Sequence, residues 1–221
     1  MGRSGLCAVA AMVALVMGGC SDADPAADPA AAPSTPTTSS SSSSAALPPY
    51  STQAFTPALS IEPPSWLPPE PTTDEEHFLT WTGEGADVDR AVRFLSPVGL
   101  YDPAHPKRFV PPPEDYLGYL DGLEKYGADI TPPTETEVDG HPATLVTAST
   151  DTGMDGSLGC QVAELSAKEC FGLQDFAVLH LAIIDVDGTL LLAWARVIPG
   201  APYTEQDFAA FEQLLSTVRF R

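Results

Sequence analysis

The sequence predicts an α+β domain in residues 55–221, with an antiparallel sheet of about six to seven strands and two packing helices. Apolar strands joined by Asp-Gly dipeptides are the first indication, because Asp-Gly between two apolar runs is a strong hairpin signal. Two segments with apolar residues at helical spacing are the second indication. Strands connected by tight turns, with helices inserted among them, are typical of the α+β class.

Alternating apolar residues and short apolar runs predict the individual strands. The strongest pair is 176–186 and 189–198, joined by Asp187-Gly188. The other predicted strands are 55–61, 75–82, 91–101, 134–138 and 143–149, the last two joined by Asp139-Gly140.

Two helices are predicted from their end signals. Pro113-Glu114-Asp115 begins the first, with proline in the first turn and carboxylates against the helix dipole, and Gly127 ends it. Thr204 is predicted to cap the last helix, with Asp207 at the third helical position. One face of strand 189–198 carries residues small enough for a helix to pack closely, namely Leu191, Ala193, Ala195 and Val197.

Residues 1–19 have the form of an export signal. Arg3 is the basic residue of this segment, and the apolar stretch 6–17 is shorter than the ~20 residues that a membrane-spanning helix needs. Gly18 and Gly19 come directly before Cys20. Small residues and a cysteine at the end of an apolar run, followed by a polar tail, predict cleavage before the cysteine and lipidation of its thiol. An ordinary secretory signal that merely contains a cysteine is the alternative.

Met17-Gly18-Gly19-Cys20 resembles the lipobox of bacterial lipoproteins, although that family most often has leucine at the first of these positions. The resemblance implies that Cys20 carries a diacylglyceryl thioether and becomes the mature N-terminus. It also implies a location at the extracytoplasmic face of the cell membrane. Two acyl chains suffice for stable anchoring, since each buried methylene contributes ~0.8 kcal/mol.

Residues 20–54 are predicted to form a disordered stalk. They are rich in alanine, proline, serine and threonine, with an unbroken serine run at 39–44 and no aromatic residue before Tyr50. Such a segment cannot bury enough apolar surface to fold, and its reach is on the order of 30 Å. Serine and threonine near proline are also typical of O-glycosylated stalks.

The chain is strongly acidic, with a formal net charge of -20 at pH 7. Its few lysines and arginines are scattered, which argues against nucleic acid and anionic lipid headgroups as partners. The expected partners are the membrane, through the lipid anchor, and an envelope protein or a cell-wall component. No cofactor is expected.

Cys160 and Cys170 remain once Cys7 is lost with the signal and Cys20 is lipidated. Two thiols close together in an exported domain predict a disulfide. Closing so short a loop contributes roughly 2.5–3 kcal/mol in the chain-entropy model. Two buried free thiols or half a metal site are the alternatives, but no second cysteine pair supports a structural zinc.

The run Ile184-Asp185-Val186-Asp187-Gly188-Thr189 resembles the first motif of haloacid-dehalogenase-type phosphatases. In that family the first aspartate attacks phosphorus, the second is the acid/base, and magnesium bridges them. Those enzymes also need a parallel sheet and a later lysine, and no lysine follows here. A hairpin turn is therefore favoured. A metal-dependent phosphohydrolase using Asp185 and Asp187 is the alternative function.

Other motifs do not predict a catalytic residue or a metal ligand. Gly156-Ser157-Leu158-Gly159 is similar to a serine-hydrolase elbow, but an aspartate precedes it where the first glycine is needed. The four histidines share no ligand spacing, and they are His77, His105, His141 and His180.

The order of elements from Phe55 to Arg221 resembles the Mog1/PsbP-like α/β sandwich found in several actinobacterial-type lipoproteins. The resemblance is carried by three features, namely Phe55-x-x-x-Leu59-x-Ile61-x-Pro63, Val138-Asp139-Gly140-x-Pro142-Ala143, and the final hairpin followed by a helix. It implies a fold and no catalytic residues. The predicted function is a lipid-anchored, non-catalytic binding or accessory domain of the cell envelope. A carrier of an apolar ligand would need a cavity between sheet and helices.

Overall fold

A computed structural model describes residues 48–83 and 90–221. The predicted signal segment, Cys20 and the stalk as far as residue 47 lie outside the described residues. The first strand among the described residues begins at Tyr50, ahead of the predicted start of the domain at residue 55.

The described residues form short and long strands with two α-helices. In chain order the strands are β1 (Tyr50–Ser51), β2 (Leu59–Ile61), β3 (Thr73–Glu75), β4 (Phe78–Thr82), β5 (Ala91–Leu95), β6 (Leu100–Tyr101), β7 (Phe109–Val110), β8 (Ala128–Ile130), β9 (Thr134–Val138), β10 (His141–Thr150), β11 (Met154–Gly159), β12 (Phe171–Leu173), β13 (Val178–Val186), β14 (Thr189–Val197) and β15 (Arg219–Phe220). The helices are α1 (Tyr116–Asp121) and α2 (Thr204–Thr217), with 3-10 turns at Glu124–Tyr126 and Ala167–Glu169.

An antiparallel sheet of eight strands forms the centre, in the order β3-β4-β5-β14-β13-β10-β8, and β9 also pairs with β10. This confirms the predicted antiparallel sheet with two helices, although the sheet has eight strands where six to seven were predicted. Strands β1, β2 and β15 form a three-stranded sheet, and β6–β7 and β11–β12 form two-stranded sheets.

Both Asp-Gly dipeptides make the predicted hairpins. Asp187 and Gly188 have φ angles of 54° and 82° between the paired residues Val186 and Thr189. Asp139 and Gly140 have φ angles of 51° and 81° between β9 and β10. Two successive residues with positive φ define a type I′ turn, whose twist matches that of the strands it joins.

The central strands are apolar on both faces of the sheet. On the first face, Ala193 and Ala195 of β14 belong to a core that includes Phe211 of α2. On the second face, Leu192 and Trp194 belong to a core that includes residues of α1, β11 and β12. Alternate residues of a strand point to opposite faces, so each face of β14 needs its own cover. The small residues of β14 admit α2, as predicted.

Helix α1 and the β11–β12 hairpin cover the second face together. The hydroxyl of Tyr116 donates to the carbonyl of Leu158 (2.8 Å), and that of Tyr119 donates to the carbonyl of Ser157 (2.9 Å). Burial raises the pKa of both tyrosine hydroxyls above the ordinary value. Both hydroxyls therefore keep their protons, and can donate, above the pH at which an ordinary tyrosine ionises.

The sulfur atoms of Cys160 and Cys170 lie 1.94 Å apart, at disulfide distance. Both cysteines are buried, at the end of β11 and just before β12. The arrangement agrees with the predicted disulfide and closes the loop between the two strands.

Three predicted strands are wrong in extent. The strand predicted at 55–61 is confined to Leu59–Ile61, because side-chain contacts described below hold the preceding backbone. The strand predicted at 75–82 is the hairpin β3–β4, with its turn at residues 76–77. The strand predicted at 91–101 is interrupted after Leu95, where Pro97 removes a backbone donor from the ladder.

The helix ends also differ from prediction. Helix α1 begins at Tyr116, with Asp115 as its N-cap accepting a hydrogen bond from the N–H of Gly118 (2.8 Å). The predicted end at Gly127 is wrong for the helix, which ends at Asp121 with Gly122 as its C-cap; Gly127, with a φ of 97°, ends the separate 3-10 turn that follows. Thr204 is the first residue of α2 rather than its cap, since its hydroxyl donates to a carbonyl in the preceding turn.

Asp207 is a buried ion-pair partner rather than a capping residue. Its side chain is 1% exposed, and both of its oxygens contact the guanidinium of Arg90, one at 2.7 Å. The guanidinium carbon of Arg90 also lies 4.1 Å from the ring of Trp66 and 4.8 Å from that of Tyr203. The two aromatic faces and the carboxylate offset the free-energy cost of removing the Arg90 guanidinium from water. The pair ties α2 to the start of β5.

Asp74 of β3 holds the segment that precedes β2. Its carboxylate accepts hydrogen bonds from the N–H of Gln53 (2.6 Å), Phe55 (2.9 Å) and Ala54 (3.3 Å) and from the hydroxyl of Tyr50 (2.7 Å). Partial burial alone would raise the pKa of the Asp74 carboxyl, but these hydrogen bonds outweigh it and hold the pKa below its usual value. Burial and the hydrogen bond to the carboxylate raise the pKa of Tyr50 to about 12.

Asp74→Asn is expected to lower the free energy of unfolding by about 1–2 kcal/mol near pH 7, because charge-assisted hydrogen bonds are lost. A lowered folded pKa contributes stability above the unfolded pKa of about 3.9, and this stability is lost as the pH falls through the folded pKa. The difference between wild type and variant should therefore shrink at acid pH. Urea denaturation at neutral pH and near pH 3 measures it, and an undiminished difference at the lower pH would contradict this account.

Asp207→Asn is expected to cost about 3 kcal/mol of unfolding free energy, since breaking a buried ion pair leaves one charge uncompensated. The matched control is Glu205→Gln, an exposed acid in the same helical turn whose loss should cost less than about 1 kcal/mol. Urea denaturation of both variants tests the difference. Equal losses would show that the pair does not stabilise the domain.

Candidate functional site

A groove of about 1020 Å³ opens on the second face of the eight-stranded sheet, near the Asp-Gly turns. Its floor comes from β9, β10, β13 and β14, and its walls come from residues 112–117 and 96–97. Helix α1 covers the neighbouring part of this face, and its first turn forms part of one wall. The groove is therefore the part of the second face that the short helix leaves open.

Strand register arranges the floor in rows. Glu135 of β9 pairs with Thr144 of β10, and Thr144 pairs with Ile183 of β13. Asp185 pairs with Leu190 across the central hairpin. Ile183 and Leu190 are half-buried and pack against the core of the second face. The floor thus offers aliphatic surface in the middle and a carboxylate at its β9 edge.

The lining of the groove is acidic. Among the described residues it includes no lysine, arginine or histidine, and the five carboxylates there are Glu114, Asp115, Glu135, Glu137 and Asp185. Carboxylates gathered along a concave surface focus a negative potential there, which raises the local concentration of cations. The chemistry of the groove favours a cationic ligand with some apolar surface.

The five carboxylates differ in how they are engaged. Asp115 caps α1, and Asp185 accepts a hydrogen bond from the N–H of Gly188 (2.6 Å) within the hairpin turn. Glu114, Glu135 and Glu137 make no hydrogen bond or ion pair with the described residues. These three glutamates are exposed and available to a ligand.

The structure does not bring Asp185 and Asp187 into one site. Asp185 lines the groove, whereas the Asp187 side chain is 92% exposed, lies outside the lining, and is 3.9 Å from Nδ1 of His141. The strand that carries them belongs to an antiparallel sheet, while the phosphatase motif requires a parallel one. Within the described ranges, no three histidine, cysteine, aspartate or glutamate residues are grouped so that they could hold a metal ion. The motif forms a hairpin turn.

Ser157, in the elbow-like sequence, is fully buried within β11. Its hydroxyl accepts a hydrogen bond from the N–H of Leu173 (3.3 Å) on β12. The strand-turn-helix setting of a hydrolase elbow is not found there. This serine joins the two strands of the β11–β12 hairpin.

His180 has the most contacts of the four histidines. Its Nε2 lies 2.9 Å from Oε1 of Glu212, and its Nδ1 lies 3.3 Å from the hydroxyl of Thr147. The ring stacks on Phe208 of α2, with centroids 4.7 Å apart, and its side chain is only 12% exposed. Hydroxyl, imidazole and carboxylate stand in the order of a hydrolase triad, but the imidazole is packed beneath the helix. His180 therefore joins α2 to the sheet through these contacts.

Sequence reasoning missed the groove, although part of its signal is present. Glu135 and Glu137 alternate with threonine in a predicted strand, so period 2 places both on one face. In the sequence, Glu114 and Asp115 indicate only a helix start, because their carboxylates favour the positive end of the helix dipole. Cys20 lies outside the described residues, and no described helix is both long and apolar enough to cross a membrane.

Comparison with known proteins gives a likeness in fold only. No family model and no curated protein matches the chain. The solution structure of cyanobacterial PsbP (CyanoP) from Synechocystis sp. PCC 6803 is similar over 79% of this chain and 94% of that chain, with a TM-score of 0.43 and 8% identity. A likeness of this size carries no argument about the site. The resemblance to Mog1/PsbP-like lipoproteins stays a prediction.

The turn role of Asp187 can be separated from an acid/base role by two substitutions. Asp187→Asn is expected to change the free energy of unfolding by less than about 0.5 kcal/mol, because asparagine suits a type I′ turn. Asp187→Val should cost about 1–2 kcal/mol, since a β-branched residue is strained at positive φ. Urea denaturation measures both, and equal effects would contradict the turn role.

Proposed function

We propose that the chain is a lipid-anchored, extracytoplasmic binding or accessory domain of the bacterial cell envelope, and that the acidic groove is its binding surface. The observation that carries the proposal is the groove itself, a concave surface with aliphatic residues on its floor and three unengaged glutamates. Pockets with apolar surface and a few convergent polar groups are the usual places for ligands.

The anchor in this proposal is Cys20, at the end of the export signal. The cysteine pair at disulfide distance supports an oxidising, extracytoplasmic compartment, because disulfides persist there and are rare in the cytosol. The long polar segment between Cys20 and β1 would let the domain reach partners away from the membrane surface.

The hydrogen bonding and the exposure of the groove carboxylates support binding rather than catalysis. Asp115 and Asp185 already accept backbone hydrogen bonds, in a helix cap and a turn. The remaining acids are exposed glutamates on a strand and a wall. Such groups recognise positive charge without the desolvated environment that tunes a catalytic carboxylate.

Lipid attachment is tested on the full chain expressed in a bacterium that processes lipoproteins. The mature protein is expected to begin at Cys20, to carry the mass of a diacylglyceryl group, and to fractionate with membranes. Cys20→Ser should release the protein from membranes. A mature protein that is freely soluble, unacylated, or begins at another residue would refute the anchoring part of the proposal.

The binding surface is tested by placing a photo-crosslinking residue in the lipid-anchored protein in cells. At Thr144, on the groove floor, it is expected to crosslink a discrete envelope component. At Glu164, which is exposed and outside the groove lining, it should not. The same product from both positions, or none from Thr144, would contradict the groove as the binding surface.

A further inference from the structure

The two edges of the eight-stranded sheet are not equally protected. At the β3 edge, Asp74 binds the backbone N–H groups of the preceding segment, and the N–H of Thr56 donates to the carbonyl of Glu76 (2.8 Å). At the other edge, β9 pairs with β10 along one side. Among the described residues, no backbone group from another element hydrogen-bonds to the outer side of β9. An edge strand of this kind presents unpaired N–H and C=O groups.

The outer residues of β9 are also exposed. Thr134, Glu135 and Glu137 are exposed, Thr136 is half-buried, and only Val138 is buried. Five residues are enough for a short antiparallel pairing, and the strand begins and ends in polar sequence. The free edge is therefore accessible to an incoming chain over residues 134–137, whereas Asp139, just after the strand, accepts a hydrogen bond from the N–H of Phe220 (2.9 Å).

The charge on this edge selects what can pair with it. Glu135 and Glu137 lie on the groove side of β9, two residues apart on one face. Like charges on facing strands are destabilising, so a second copy of this chain would place glutamates against glutamates and is disfavoured. A strand that carries lysine or arginine at alternate positions meets both carboxylates. Such cross-strand pairs of opposite charge contribute roughly 0.2–1 kcal/mol each.

The acidic groove beside β9 also favours a basic partner. Glu114 and Asp185 also line the groove and add to the negative potential beside β9. Main-chain pairing would give affinity, and the alternate basic residues would give specificity.

We propose that the free outer side of β9, at the border of the groove, binds an extended basic segment of another envelope protein, which pairs with β9 as an additional strand of the sheet and places alternate lysines or arginines against Glu135 and Glu137. This proposal rests on the proposed function, since it takes the groove and its β9 border as the binding surface. It goes further in naming a protein segment as partner and strand addition as the mode of binding.

The test uses the full chain in detergent and a fluorescent synthetic peptide of alternating lysine and valine. Fluorescence anisotropy is expected to show saturable binding that weakens with added salt, because the contacts are charged. A peptide with glutamate in place of lysine should not bind. Absence of binding by the basic peptide, or equal binding by both, would overturn the proposal.

Two N-methylated forms of the basic peptide separate strand addition from simple charge attraction. N-methyl groups on one alternate set of residues remove the N–H groups that face β9, and those on the other set remove N–H groups that face away. One form should lose at least about tenfold in affinity and the other should lose little, since only one edge of the peptide pairs. Equal affinities for the two forms would show that no strand is added.

Charge reversal in the protein identifies the site. Glu135→Lys combined with Glu137→Lys is expected to weaken peptide binding by at least about tenfold, because two attractive pairs become repulsive. The matched control is Glu124→Lys combined with Glu164→Lys, two exposed acids outside the groove lining, which should bind within about twofold of wild type. Equal losses in both double variants would overturn the proposal, since they would reflect net charge alone.

Failure of the strand-addition proposal can be told apart from failure of the proposed function. If Cys20 is acylated and Thr144 crosslinks an envelope component while the basic peptide fails to bind, the binding domain stands and the strand-addition mode is wrong. A crosslinked product that proves to be a wall glycan would likewise refute the protein segment as partner.

Discussion

The whole architecture follows from the central hairpin being apolar on both of its faces. Strands β13 and β14 pair over nine residues each, and Ala193 and Trp194 of β14 are buried on opposite sides. A sheet of this kind cannot leave either face to water without losing the free energy of burial, so it must lie between two covers. Helix α2 with the three-stranded sheet provides one cover, and α1 with the β11–β12 hairpin provides the other.

The second cover is incomplete, and the groove results from that. Helix α1 has only six residues, about 9 Å along its axis. Its first turn lies at the groove, where Ile183 and Leu190 remain half-buried and carboxylates line the surface. A short helix that begins at a capped aspartate thus creates a concave surface with an aliphatic floor and an acidic rim.

The acidic residues of the domain serve two different purposes. Asp207 and Asp74 are engaged by Arg90 and by backbone N–H groups, and each joins segments distant in sequence. Glu135 and Glu137 are engaged by nothing described and stand at a free sheet edge. The first pair stabilises the fold. The charges of Glu135 and Glu137 disfavour pairing of this edge with another acidic chain and leave it open to a basic one.

The sequence by itself determined the features that depend on neighbouring residues. Asp-Gly specified both type I′ hairpins, and period-2 alternation placed Ala193 and Ala195 on a face that could accept a helix. Tertiary structure alone decided that Asp207 pairs with Arg90, 117 positions away, and that four separate segments converge on the groove. Local patterns report the conformation of a segment and which of its faces is apolar. They carry no record of which distant segment will meet that face, because that choice depends on how the whole chain covers its sheet.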